Sequence, residues 1–97
     1  MAMTDWMATL REQRVLAEKM SDDIPRMLAD PELTFDLAVK LYRALESQAE
    51  FMKQLSRKLE QGGFDFDIVS AAERVEERFA DLAADAAEKT RELSGRR

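Results

Sequence analysis

The sequence predicts an all-α fold, and three observations carry that expectation. Only 2 prolines and 3 glycines interrupt 97 residues. Apolar residues recur at steps of three and four over long stretches, while β-branched residues nowhere alternate with polar ones at period two. Charged residues make up 36% of the chain and are interleaved with Ala and Leu, the composition of solvated helices. The expected architecture is one helical domain over residues 1–97. Short N-terminal helices lead into a long antiparallel helical hairpin, about 32–61 and 67–93, and two copies dimerise into a helical bundle.

The first helix is expected over residues 5–20. Thr4 or Asp5 can cap it, and Met3, Trp6, Leu10, Ala17 and Met20 form its apolar stripe, with Gln13 on the same line. Val15 and Leu16 lie off the stripe and suggest a second, smaller contact face. Ser21-Asp22-Asp23-Ile24-Pro25 combines capping residues with a proline that a first helical turn tolerates. That predicts a separate short helix over 24–29, turning Ile24, Met27 and Leu28 inward.

Asp30-Pro31-Glu32 repeats the start signal and Thr34 offers another, so the central helix begins between Pro31 and Phe35 and runs unbroken to Gln61. Gly62 is expected to take the left-handed conformation that closes it, within a hairpin loop over 62–66. Asp67 is the expected N-cap of the last helix, with Ser70 and Glu73 as a weaker capping box. This helix is expected to end near Leu93, leaving 94–97 as a frayed tail.

Both long helices carry a seam. In the central one it is Ala38, Leu41, Leu45, Gln48, Met52, Leu55 and Leu59; in the last, Ile68, Ala72, Val75, Phe79, Leu82, Ala86, Lys89 and Leu93. The short connection turns them antiparallel, so Leu55 falls near Ala72 and Gln48 near Phe79. The central helix is apolar on both flanks as well, with Phe35, Tyr42 and Ala49 on one side and Leu37, Ala44 and Phe51 on the other. Beyond Leu82 the last helix is mostly Ala, Asp, Glu and Lys. The upper half of the central helix therefore needs cover from the first helix or a second chain, and the expected contact residues are Trp6, Leu10, Leu37, Leu41, Tyr42, Ala44 and Phe51.

Composition narrows function by exclusion. With 0 cysteines and 0 histidines the chain has no thiolate or imidazole ligand, no Cys nucleophile and no His base. The carboxylate cluster Glu73, Glu76 and Glu77 lacks the Glu-x-x-His partner of helix-borne di-metal sites and reads as a solvated face. Asp65 and Asp67 resemble the start of a calcium loop, but Val69 stands where the next oxygen ligand belongs. Phe64 and Phe66 are expected to plug the hairpin end, with a docking loop for a partner as the other reading.

No metal, cofactor or catalytic residue is therefore expected. Net charge is -5, and Lys53, Arg57, Lys58, Arg74 and Arg78 form only a dilute basic end to the hairpin, which disfavours nucleic acid. Neither a secretory signal nor an eighteen-residue apolar run is present, so the chain is expected to be cytoplasmic, without membrane contact; whether Met1-Ala2 is native is open. The functional expectation is a non-catalytic protein–protein interaction module, an adaptor, chaperone or regulator, acting through a helical face as a homodimer. A nucleic-acid accessory protein using the basic end is the alternative.

Overall fold

The computed structural model describes residues 5–95, so the expectations for Met1-Ala2, Met3, Thr4 and the Arg96-Arg97 end lie outside the described residues. Three helices account for the described residues: α1 (Trp6–Ala29), α2 (Phe35–Gln61) and α3 (Phe66–Gly95). The dominant packing is between α2 and α3, whose connection is too short for anything but an antiparallel hairpin. α1 lies across this hairpin and leans toward α3.

α1 starts where its cap dictates, with the Ala8 amide donating to Asp5 Oδ1 at 3.0 Å. It then runs through Pro25 as a single helix of 24 residues, so the expected break between 20 and 24 is absent. The reason lies in Ser21. Its hydroxyl donates to the carbonyl of Ala17 at 2.7 Å, a back-bond of the helix interior, and so does not cap a new helix. Pro25 removes one helical donor, at a cost of about 3 kcal/mol. Ile24 beside it is 4% exposed, and its burial, with that of Leu28, offsets much of this.

Asp30 makes the first turn. Its carboxylate accepts from the amide of Glu32 at 2.9 Å and its carbonyl accepts from Leu33, which buries that leucine. Residues 32–34 therefore stay outside α2, which starts at Phe35 under a Thr34 cap, the Leu37 amide donating to Thr34 Oγ1 at 3.2 Å. The far end of α2 closes in a Schellman motif. Phe64 N donates to the carbonyl of Leu59 and Gly63 N to that of Glu60, with Gly63 at φ 75°. The left-handed residue is thus Gly63, where Gly62 was expected; Gly62 has φ -78° and is the last residue before the reversal.

The cap of α3 also differs, by two residues. Ile68 N and Val69 N both donate to the carbonyl of Asp65, which therefore holds the cap position, while Asp67 sits in the first turn where its charge suits the helix dipole. Ser70 is inside the helix, so it forms no capping box. At the other end Ser94 and Gly95 are helical and not frayed.

The core follows the seam. Ala38, Leu45, Met52, Leu55 and Leu59 of α2 meet Ala72, Val75, Phe79, Leu82 and Ala86 of α3, and Phe79, Met52, Leu59 and Ala86 are fully buried. Leu10, Ala17 and Ile24, spaced one heptad apart, are the buried column that α1 contributes.

Candidate interaction faces

The molecule measures 50 × 26 × 19 Å, an elongated shape that offers grooves between helices rather than an enclosed chamber. Two grooves and one open helix face follow from where α1 lies.

Between α1 and α3 runs a groove of about 550 Å³ whose walls carry Arg14, Arg74 and Arg78 together with Glu18 and Asp22 over an apolar floor of Ala17, Ala71 and Val75. Arg14 and Glu18 stand 3.9 Å apart, so part of its charge is already balanced. On the hairpin face away from α1, a second groove of about 350 Å³ is floored by Ala80, Ala83, Ala84 and Ala87 and edged by Tyr42, Glu46 and Arg91. There the Tyr42 hydroxyl donates to Glu46 Oε2. That hydrogen bond to a carboxylate, and after it partial burial and the negative charge, raise the phenol pKa above the ordinary value of 10.0.

The open face lies on the flank of α2 that carries Lys58. Leu37, Ala44, Phe51 and Lys58 form one heptad column on α2, and the Lys58 ammonium sits 5.5 Å from the centroid of the Trp6 ring. The whole column therefore faces the α1 side of the hairpin. Because α1 leans toward α3, it touches the column at Lys58 through Trp6 without covering it. Leu37 and Phe51 are each 43% exposed and Ala44 is exposed. Across from them, α1 turns Met20 and Leu16, both half-buried, and Met27, 38% exposed, away from its arginine groove.

The seven expected contact residues consequently fall into separate places. Leu10 is 6% exposed and belongs to the chain's own core, and Trp6 and Leu41 pack partly against that core. Tyr42 faces the opposite groove, which leaves Leu37, Ala44 and Phe51 together on one uncovered face. Val15 is 66% exposed, while its neighbour Leu16 packs on the core, so the two do not form one contact face. At the hairpin end the two phenylalanines part as well: Phe64 packs against the core and Phe66 is 82% exposed, so Phe66 plugs nothing.

Two features of the seam carry polarity. Gln13 Oε1 and Gln48 Oε1 are buried with no hydrogen-bond partner. Both amides were legible as polar interruptions of an apolar stripe; their unmade hydrogen bonds were not. The expected basic end of the hairpin is dispersed. Lys53 lines a surface with Arg43, Glu46, Glu50 and Glu76, Lys58 is over Trp6, and Arg74 and Arg78 turn toward Arg14.

Among the described residues no group of three His, Cys, Asp or Glu side chains could hold a metal ion, and no helix is long and apolar enough to cross a membrane. Compared with protein-family models, with curated proteins and with solved structures, the chain matches none.

Proposed function

We propose that this chain is a small non-catalytic protein–protein interaction module, an adaptor, chaperone or regulator, that works by offering an apolar helical face to another protein. The observation that carries the reading is the uncovered column Leu37, Ala44 and Phe51 on α2, beside Met27 of α1. Large apolar side chains left half-open in a row, on a chain whose core is otherwise closed, mark a surface that gains free energy when a partner covers it. Each half-buried leucine or phenylalanine there gains on the order of 1 kcal/mol on full burial.

The test is affinity capture from the native host with wild-type chain and with a Leu37→Glu, Phe51→Glu variant, followed by reconstitution with the purified partner at two salt concentrations. Capture lost in the variant at unchanged helical circular dichroism supports the reading, as does binding that depends weakly on salt. Unaltered capture contradicts it. A steep fall in affinity with salt identifies phosphate-backbone binding instead, the alternative by which the chain would be a nucleic-acid accessory protein.

A further inference from the structure

Resting on that reading, we infer that the occupant of the α1–α2 face is a second copy of this chain, joined about a two-fold axis that runs parallel to the helices. Size, apolarity and charge all enter the argument. Two helices packed 8–10 Å apart over about 40 Å present about 800 Å², which is what each partner contributes to a stable complex of standard size. The exposed side chains along it, Phe51 near its middle and Leu37 toward its open end, are large and apolar, as the buried part of a homodimer interface requires.

Charge selects the axis. On helices advancing about 100° per residue, Asp23 flanks Leu16 on the α1 edge of the face and Lys40 flanks Leu37 on the α2 edge. Lys58 beside Trp6 fixes the antiparallel register of the two helices. Each step along α1 is matched by one step back along α2, which sets Asp23 level with Lys40 to within about one turn. Neither residue belongs to an ion pair among the described residues, where the pairs are Arg14 with Glu18 and Lys89 with Glu92. A two-fold parallel to the helices keeps each level and exchanges the edges, so Asp23 meets Lys40 of the partner subunit, twice. A two-fold across the helices would reverse the levels and lay α1 on α1 and α2 on α2, carrying Asp23 away from Lys40 of the partner subunit and leaving both charges without that pairing. Opposite charges at matched levels favour the first arrangement.

The test is the dimer dissociation constant, measured by sedimentation equilibrium on the full chain, with helical circular dichroism recorded for every variant. Phe51→Glu is expected to weaken the dimer at least about 100-fold. Leu37→Glu, at a separate point of the same column, is expected to do the same and guards against one variant failing to fold. Asp23→Lys alone and Lys40→Glu alone are each expected to weaken it about tenfold, since each puts like charges together twice, and the two combined are expected to return it to within about threefold of wild type.

A wild-type chain that stays monomeric at about 100 μM overturns the inference, a concentration at which even a weak specific dimer is populated. A dimer indifferent to Phe51→Glu and Leu37→Glu overturns the face, and one in which the double charge reversal gives no recovery overturns the axis. A monomeric wild type that still loses its captured partner on Leu37→Glu, Phe51→Glu substitution removes this inference and leaves the functional reading standing.

Discussion

Gln48→Leu is expected to make the protein more stable. The side chain sits on the α2 seam with Oε1 buried and unpaired, and an acceptor left in that state forfeits about 1–3 kcal/mol relative to its hydrated form. Leucine removes the acceptor and adds apolar surface beside a core that includes the fully buried Phe79. Part of the gain is lost because Gln48 is only half-buried and its amide nitrogen gives up water, so the net expectation is about 1–2 kcal/mol. For a chain of this size that corresponds to a melting temperature higher by roughly 5–10 °C.

Thermal unfolding followed by circular dichroism, at one fixed protein concentration so that association does not shift the midpoint, measures it. Gln48→Met, closer in shape to glutamine, separates the polar effect from the steric one. The Lys58 and Trp6 register places Gln13 within about a turn of Gln48, so Gln13→Leu is expected to act in the same direction and to combine non-additively with it. A melting temperature equal to or below wild type for both Gln48 variants would refute the reasoning, because it would mean that the amide is satisfied or specifies the packing at no net loss.

Three further outcomes follow from the fold. Phe66→Ala is expected to change stability by less than about 0.5 kcal/mol, since the side chain is 82% exposed, whereas Phe64→Ala, which removes the apolar lock of the Schellman turn, is expected to cost about 1–2 kcal/mol; urea titrations of the two variants compare them. Pro25→Ala is expected to raise stability by about 1–3 kcal/mol, because it restores a donor inside a helix that already runs through this position, and calorimetry reads it. The single tyrosine is expected to ionise above 10.0, as read by ultraviolet difference absorbance. Since its folded value is the raised one, the stabilisation is fully present below the unfolded value near 10, is lost as pH rises through the folded value, and disappears in Tyr42→Phe.

The hairpin was legible in the sequence because its signal is long. The α2 and α3 seams repeat over several heptads, so the register follows from spacing, and Ala38, Leu45, Met52, Phe79 and Ala86 are buried as that spacing requires. Local signals served less well. Ser21 and Pro25 have the composition of a helix start, but a serine hydroxyl can bond back to the preceding turn, and burial of Ile24 holds the chain helical through the proline. Asp67 looked like a cap because a side-chain oxygen is visible in sequence, whereas the carbonyl of Asp65 that receives Ile68 and Val69 is a backbone feature every residue possesses.

The candidate face was half legible. Leu37, Ala44 and Phe51 stand out as apolar residues flanking an already apolar seam, and they are the ones left open. Spacing alone gave no means of separating them from Leu10, which the hairpin itself covers, or from Tyr42, which the direction of α1 places on the opposite side. Which flank of α2 remains bare depends on how far α1 leans toward α3, a tertiary choice no heptad records.

The most telling measurement is the mass of the chain in solution, by sedimentation equilibrium at about 100 μM, for wild type and for Phe51→Glu. A dimer joined through this face gives twice 11.1 kDa for wild type and 11.1 kDa for the variant, both fully helical. A single 11.1 kDa species for both proteins, or a dimer unaffected by the substitution, would contradict it.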